Sequence, residues 1–575
     1  MITFLTFIVL TSLVAFISFR MTKDAGDRGA KGYFMAGNGL GGWFIAGSMM
    51  LTNLSLEQLV GLNGDSYTHN LSGMAWEVTA VIAIVAMATF FLPRFLRGGF
   101  STLPQFLEAR YDEQTRKMVS LIFIVYYTFI LNPSGLYLAA ITFDHIFHVQ
   151  QVLGLSYPVT LAILVWAAGI CGGLYAVFGG LRAVAVSDTI NGVILLAAGL
   201  LVPVLGLFAL GHGHLSTGIH VIATQAPQKL NAIGSSHDST PFSTVFTGMV
   251  LANLFYFCTN QAIIQRAFAA KNLAEGQKGV LIAGGFKLLG PLTLLLPGVI
   301  AYHMFAQHPL ARGDFAYPML VEQVMPWWAK GFFVAALFGA VLSHFNSIVN
   351  STATLLAYDF VKARRPNIDD ASLVRIGKGV SIVIAVISLI IAPMLMYAPD
   401  GIYILIRRFS GFMNIPIIAI VLYGFFDRRG GALPAKLVLI GHIIAYGVLV
   451  FVINIEKLLG INFIHIMAIL FAAEILLMFS LRGVFSRETP YEPARREGYD
   501  MTPWRHAPTM SIILLAILVT MYLVFSPLGL AASGPASGNL IYMIAAVWIV
   551  AAVLIRAFRR REKSMLVRSG GVQQG

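Results

Sequence analysis

Polar side chains interrupt several of the most apolar stretches of this 575-residue sequence. In 339–352, GAVLSHFNSIVNST, the residues Ala340, Ser343, His344 and Ser347 follow the i, i+3, i+4, i+7 spacing of one helix face. A hydroxyl and a carbonyl on that face, with carbonyls freed by a break in another helix, would offer a small hard cation its preferred oxygen ligands. We therefore predict a cation site here, with His344 as its unusual member.

Two other apolar segments carry clusters of polar residues near their middle. The first, 42–63, contains Glu57 and Gln58, and the second, 243–263, contains Tyr256. They lie five apolar segments apart, the offset expected of two inverted five-helix repeats that each open with a discontinuous helix. Neither carries a proline, so the break is inferred from polarity. The alternative is two polar helix faces that pack against neighbouring helices.

Single charges inside apolar runs indicate a cavity or a buried partner. Glu77 lies in GMAWEVTAV and Lys287 in IAGGFKLLGPL. Together with the amides of Asn53, Gln58 and Asn253, they would surround a neutral polyol such as a sugar with donors and acceptors. The alternative is a structural pair that neutralises itself without any ligand.

Asp188 and Arg266 lie near the predicted cytoplasmic ends of their segments. A pair between them would have an interfacial or gating function, whereas separate side chains would extend to water.

The elements that position these residues are membrane spans. The chain is 57% hydrophobic and 11% charged, with a mean hydropathy of +0.78, far from the roughly 25% charged residues of a soluble domain. Apolar windows of about 20 residues, long enough to cross a bilayer, number fifteen: 1–19, 42–63, 75–93, 118–147, 156–180, 187–211, 243–263, 276–304, 329–358, 373–396, 401–425, 433–453, 461–481, 508–527 and 538–558. The sequence therefore predicts an all-α polytopic membrane protein with about 14–15 transmembrane helices.

The net charge of +13 does not indicate a nucleic-acid partner, because most Lys and Arg residues fall in alternate loops. By the positive-inside rule the N-terminus is outside and the basic C-terminal tail is cytoplasmic. We expect the cell (inner) membrane, with the lipid bilayer and a small solute as partners and no obligate protein partner.

Longer motifs resemble those of the solute:sodium symporter family, on a bacterial subgroup of its sodium/glucose cotransporter branch. The resemblance covers about 27–429 and is carried by YFMAGNGLGGWFIAGSMMLTNLSLEQLVG, STLPQFLEARY, YAVFGGLRAVAVSD, NLFYFCTNQAIIQRAFAAKNLAEGQKG and ALFGAVLSHFNSIVNSTATLLAYDF. It implies an inverted-repeat (5+5), amino-acid-transporter-like core that imports sugars or related solutes by alternating access, with sodium as the coupling ion and no other cofactor.

The resemblance also implies functional residues. The family's sugar-binding positions are Gln58, Glu77, Asn253 and Lys287, with Asn53 nearby. The outer gate corresponds to three residues and the inner gate to two: Leu62, Trp76 and Tyr403 outside, and Tyr256 and Phe257 inside.

Two positions in the solute site depart from the family. A glutamine of the tenth core helix is replaced by Arg407, and a serine of the second by Ala80. Because Arg forms bidentate pairs with carboxylates, Arg407 would suit an acidic sugar such as a uronate or a sialate-like sugar. Alternatively, it points to the cytoplasmic side beside Arg408.

The family's sodium ligands correspond to carbonyls of Leu51, Leu54 and Ala340 and to the hydroxyl of Ser343, but His344 replaces the second hydroxyl. An imidazole is a poor ligand for a hard cation. Three alternatives stay open, namely sodium bound by four oxygens, a proton at His344 in place of sodium, or no tight coupling.

We expect four regions: an extra N-terminal helix and loop (1–41), the transport core (42–429), peripheral helices (430–562) and a tail (563–575). The best-supported function is secondary active transport of a sugar-like solute, with a non-transporting sensor as a further alternative. An enzyme is not expected, because the glycine-rich GNGLGG precedes a membrane span and does not follow a strand.

Overall fold

The computed structural model describes residues 39–236, 238–397, 402–493 and 496–570, together with scattered positions before residue 39. Within these ranges the chain is helical, and two isolated β-bridges are its only extended pairings. Helices satisfy every backbone polar group internally, as a bilayer requires. The helices of the first half are α1 Gly42–Asn53, α2 Leu56–Thr68, α3 Met74–Val78, α4 Ala80–Ala86, α5 Leu92–Gly98, α6 Leu103–Arg110, α7 Glu113–Tyr126, α8 Asn132–Phe147, α9 Val149–Leu153, α10 Tyr157–Leu210 and α11 Leu215–Thr224.

The second half is built in the same way. Its helices are α12 Gly248–Cys258, α13 Gln261–Phe268, α14 Leu273–Lys287, α15 Gly290–Leu294, α16 Leu296–Met304, α17 Ala316–Val324, α18 Trp327–Leu355, α19 Asp370–Ile391, α20 Ile402–Phe426, α21 Ala432–Gly447, α22 Ile455–Leu459, α23 Phe463–Leu481, α24 Ala507–Val524 and α25 Asn539–Gly570. Four π-helical segments extend α4, α7, α18 and α21, and these are Met87–Phe91, Tyr127–Leu131, Leu356–Lys362 and Val448–Val452.

Ten helical runs among the described residues are long and apolar enough to cross a membrane, and each coincides with one of the fifteen predicted spans. An eleventh is the predicted span 276–304, which is bent by 47° between Lys287 and Gly290. Two more, 42–63 and 243–263, are each interrupted and therefore fall below the length of a continuous span. The predicted span 1–19 lies largely outside the described residues.

The two separate windows 156–180 and 187–211 are not separated in the structure, because α10 runs through both as one helix of 54 residues. The intervening sequence carries no proline, the residue that most strongly ends a helix.

The interrupted helices occupy the centre of the bundle. The first half-helix, α1, packs against α10 and α14, and α18 lies along α10 and also contacts α1. The second interrupted pair begins with α12, which packs against α4 and α20. Both breaks are therefore enclosed by helices that carry predicted site residues.

Candidate solute and cation site

The first break separates α1 from α2 at Leu54 and Ser55. Leu54 has φ −76° and ψ 63°, and Ser55 is extended and begins α2 without a side-chain cap. Carbonyls in the last turn of a helix lack intrahelical partners, so the break frees backbone oxygens in the segment that includes Leu51 and Leu54. The discontinuity predicted from polarity is present.

The second break lies at Thr259 and Asn260, between α12 and α13. The Asn260 side chain accepts hydrogen bonds from the Ala262 N–H at 3.0 Å and from the Tyr127 hydroxyl at 2.6 Å. This break is therefore fixed by an asparagine cap. The two breaks fall at positions five predicted spans apart, as expected for inverted repeats.

The predicted cation face of α18 meets the first break. Ala340, Ser343 and His344 are all buried, and Thr52 lies 3.3 Å from Ser347 between their hydroxyl oxygens. The hydroxyl of Ser55 is buried without a hydrogen-bond partner and lines one small cavity with His344. Oxygen donors from α1, α2 and α18 therefore converge at this point.

His344 is a buried ring that no hydrogen bond explains. Neither of its ring nitrogens has a hydrogen-bond partner, and its Nε2 lies 4.0 Å from a carboxylate oxygen of Glu57. The ring packs against Gly135, where an added Cβ would approach His344 Cδ2 to 2.9 Å. A buried histidine in a core ordinarily has its ring nitrogens hydrogen-bonded. His344 in this structure does not.

Asp188 and Arg266 form a buried pair. The alternative, in which the two side chains extend separately to water, is therefore wrong. Both are fully buried, and their closest charged atoms are 3.9 Å apart. Ser48 joins them, because its hydroxyl donates to Asp188 at 2.8 Å and accepts from Arg266 Nε at 3.0 Å. Arg266 also donates to Ser347 on the cation face, and Ser343 faces Asp188. The pair thus adjoins the predicted cation site.

Glu77 and Lys287 form the second buried ion pair. The Lys287 ammonium donates to a Glu77 carboxylate oxygen at 2.5 Å, and their side chains are 1% and 8% exposed. With Asn53 and Phe257 they line a narrow cavity. The other Glu77 oxygen is buried without a hydrogen-bond partner. The pair can therefore offer a ligand an acceptor without separating.

The predicted solute residues divide between two cavities in this conformation. The second cavity is lined by Asn253, Tyr256 and Arg407 among others. Neighbouring residues on a helix point about 100° apart, and this is why Tyr256 lines one cavity and Phe257 the other. Gln58 is buried, its side-chain oxygen has no partner, and it lines neither of these two cavities.

Arg407 points into the second cavity, and the alternative orientation beside Arg408 is wrong. Its guanidinium carbon lies 4.9 Å from the ring centre of Trp76 and 4.7 Å from that of Tyr403. Its Nη2 donates to the Tyr403 hydroxyl at 2.8 Å. Arg408 faces elsewhere and pairs with Glu456 at 2.5 Å.

The predicted gate residues are brought together. Trp76 and Tyr403 meet edge to face, with ring centres 6.5 Å apart, and the rings of Tyr256 and Phe257 lie 5.1 Å apart. Leu62 is fully buried in the same core. The Trp76 indole N–H donates to the Thr240 hydroxyl at 3.2 Å, so the loop after α11 is attached to this predicted gate residue.

That loop is held to the end of α2 by a lysine. Lys229 Nζ donates to the carbonyls of Tyr67 at 2.8 Å and Thr68 at 3.1 Å. Burial lowers the pKa of Lys229 to about 8, against the opposing effect of the nearby carboxylates of Asp65 and Asp238. Closing the loop over the helix end therefore favours the neutral amine.

Sequence reasoning missed a network at the opposite end of α18. Asp359 is fully buried and accepts hydrogen bonds from Thr102 at 3.0 Å, Ser120 at 2.8 Å and Arg116 Nη2 at 2.9 Å. Gln261, at the second break, accepts from the Leu103 N–H at 2.9 Å. The short helix α6 is thereby attached to both α18 and α13. The available signal was an aspartate directly after the apolar window 329–358.

Glu57 is a second candidate site residue that the sequence analysis did not predict. It lies in the same polar cluster as Asn53 and Gln58, and it lines the second cavity while its Oε2 approaches His344. Its charge in a predicted span was the same signal that identified Glu77.

The comparisons with known proteins agree with this geometry. The sequence pattern described as "SSF: Sodium:solute symporter family" matches residues 33–441. The uncharacterized symporter YidK of Escherichia coli (strain K12) is 39% identical over 552 residues, which cover 96% of this chain and 94% of that protein. The sodium/glucose cotransporter of Vibrio parahaemolyticus is 30% identical over 429 residues, covering 71% of this chain and 77% of that protein.

Among solved structures, a Na⁺-coupled sialic acid symporter in a substrate-bound outward-open state has a TM-score of 0.73 at 20% identity. The likeness covers 86% of this chain and 99% of that chain, and it shows a shared fold. The all-helical transporter fold predicted from the sequence is confirmed. This multi-pass membrane protein is a transporter and not an enzyme, and it belongs to the sodium:solute symporter family.

Proposed function

We propose that this sodium-coupled transporter imports a sugar or a closely related small polar solute by alternating access. The observation that carries the proposal is the position of the Glu77–Lys287 pair and the amides of Asn53 and Asn253 around the two helix breaks. Such a set donates and accepts hydrogen bonds around hydroxyl groups. The sodium/glucose cotransporter named above supports a sugar over other solutes.

The coupling sodium ion would bind between the first break and α18. Its ligands would be backbone oxygens of Leu51, Leu54 and Ala340 and the hydroxyl of Ser343, all oxygen donors as a hard cation requires. His344 contributes no oxygen, so we expect fewer ligands and weaker sodium binding than two hydroxyls would give. The buried Glu57 carboxylate near His344 adds negative charge that favours a cation.

The aromatic contacts would serve as gates. Trp76 and Tyr403, with Leu62, would close the solute site on one side, and Tyr256 and Phe257 on the other. Because sodium would be held by both α1 and α18, its binding would favour one arrangement of these helices over the other. The adjoining Asp188–Arg266 pair would stabilise that arrangement.

We further propose an inner-membrane location with the N-terminus outside and the C-terminus cytoplasmic, on the distribution of basic loops. The transport core would be 42–429, preceded by the helix and loop of 1–41, with 430–562 peripheral, 563–575 a tail and no obligate protein partner.

The test is uptake of radiolabelled D-galactose into proteoliposomes under an imposed sodium gradient and then under a pH gradient. We expect saturable uptake with sodium, abolished by Gln58→Ala or Lys287→Ala in protein that remains folded by size-exclusion chromatography. Lys457→Ala is the matched control, since Lys457 is exposed on α22. Uptake driven by the pH gradient alone would reject sodium coupling, and normal uptake by both variants would reject the solute site.

A further inference from the structure

Arg407 is a cation in the solute cavity whose charge no residue of the described chain neutralises at close range. No carboxylate oxygen of the described residues lies within 4.0 Å of its guanidinium, and its hydrogen bond is to a neutral phenol. Its Nε is buried without an acceptor. From this geometry we infer that the transported solute carries an anionic group that binds Arg407, an inference that rests on the proposed function.

Buried cations elsewhere in the bundle show what the half-buried Arg407 lacks. Lys287 pairs with Glu77, Arg266 with Asp188, and Arg116 with Asp359. Arg110 and Lys229 have no carboxylate within 4.0 Å among the described residues, but each donates to at least two backbone carbonyls. A charge that is removed from water without a partner costs free energy. Among the described residues the Arg407 guanidinium has a hydrogen bond to a phenol but none to a carboxylate or a backbone carbonyl, so an anion bound in the cavity would supply the partner that it lacks.

Glu57 is the nearest candidate for an internal partner, since it lines the same cavity. Its carboxylate instead approaches His344, at 4.0 Å, on the side of the proposed sodium site. When sodium is bound there, the cation balances Glu57, and Arg407 is left to balance the solute. The loaded site is then electrically matched: one cation beside Glu57 and one anion beside Arg407.

The surroundings of Arg407 hold it ready for an anion. The rings of Trp76 and Tyr403 lie within 5 Å of the guanidinium, and the Tyr403 hydroxyl fixes Nη2. A guanidinium fixed in this way keeps its free N–H groups for a planar or tetrahedral oxyanion, and little rotamer freedom is lost on binding. The chemistry shared by the carboxylate of a sugar acid and the sulfate ester of a sugar satisfies this site.

The experiment measures binding to the purified protein in sodium-containing buffer by isothermal calorimetry, with D-galactose, D-galacturonate and galactose 6-sulfate as probes. Sodium-driven uptake of the same three compounds is measured in proteoliposomes. We expect one of the two anions to bind at least about tenfold more tightly than galactose. Arg407→Gln should weaken anion binding by roughly 10- to 100-fold, the range for hydrogen bonds to a charged partner, and should lower the ratio of anion affinity to galactose affinity.

Two further variants guard against misfolding. Arg407→Lys keeps the charge but not the fork, and it should retain part of the anion preference. Arg408→Gln is the matched control, because Arg408 is adjacent and already paired with Glu456, and it should leave the preference unchanged. Preference for galacturonate over the sulfate identifies a carboxylate as the anionic group, and the reverse identifies a sulfate.

The inference is overturned if galactose binds as tightly as both anions, or if Arg407→Gln leaves the ratio of affinities unchanged. Sodium-driven uptake of galactose alone would overturn the inference and leave the proposed function standing. Absence of sodium-driven uptake of all three probes would overturn both.

Discussion

Replacement of the Glu77–Lys287 pair separates its structural contribution from its contribution to solute binding. Both side chains are almost completely buried, so Lys287→Met leaves a buried carboxylate without a cation. Removing one partner of a buried pair destabilises a protein by about 3–5 kcal/mol, whereas replacing both partners by apolar residues is often neutral. We therefore expect Glu77→Met and Lys287→Met each to lower the free energy of unfolding by that amount, and the double variant to recover most of it.

The assay is the temperature of half-unfolding of the detergent-purified protein, followed by sodium-driven uptake of D-galactose and D-galacturonate in proteoliposomes. Both single variants should melt earlier than the wild type, and the double variant should melt near it. The double variant should nevertheless transport neither compound, because the charged groups that would bind hydroxyls are gone. Lys457→Met on the exposed face of α22 serves as the control.

Two results would refute the reasoning. Single variants as stable as the wild type would show that the pair is not buried in the way the distances indicate. A double variant that is stable and transports normally would show that the pair is structural and that the solute binds elsewhere.

Three other perturbations test separate parts of the molecule. His344→Ser restores a hydroxyl beside Ser343 and should lower the sodium concentration for half-maximal uptake by about fivefold, the worth of one modest polar contact; unchanged sodium dependence would make His344 a packing residue. Because burial lowers the pKa of Lys229 to about 8, the closed loop binds fewer protons than an open one between about pH 8 and the ordinary lysine value. Loop closure should therefore become more favourable as the pH rises through that window. The modification rate of a Ser239→Cys probe, relative to that of an exposed reference cysteine, should fall accordingly, and Lys229→Met should abolish this trend. Asp359→Asn removes the charge that Arg116 binds and should destabilise the protein by about 2–4 kcal/mol, whereas Glu113→Gln on the exposed start of α7 should leave the melting temperature within a degree.

The sequence was most informative about which segments span the membrane and where two of them are interrupted. Apolar windows identified all ten continuous spans of the described residues, because a continuous run of about 20 apolar residues has few alternatives to a spanning helix. The polar clusters of 42–63 and 243–263 located both breaks without a proline, since polar groups are tolerated in a span only where they line a cavity.

The boundary between the windows 156–180 and 187–211 shows where this reasoning fails. Arg182 lies between the two windows, but nothing in the segment forces a helix to end, and α10 continues through it. Local polarity alone does not decide between a turn and a continuing helix.

Partners across the bundle depend on tertiary packing. The sequence identified Glu77, Lys287, Asp188 and Arg266 as unusual charges, because each charge in an apolar run is visible without a structure. Which of them touch, and through which hydroxyl, depends on how helices far apart in the chain rotate against each other, and a rotation of about 100° exchanges one residue for its neighbour.

Arg407 illustrates both what the sequence predicts and what only the tertiary structure decides. The sequence, through its resemblance to the family, predicted that a guanidinium replaces an amide in the tenth core helix and that His344 occupies the position of a sodium ligand. Only the tertiary structure decided that Arg407 lies between Trp76 and Tyr403 without a carboxylate at close range. The physical reason is that charge is a property of one residue, whereas its neutralisation depends on every residue packed around it.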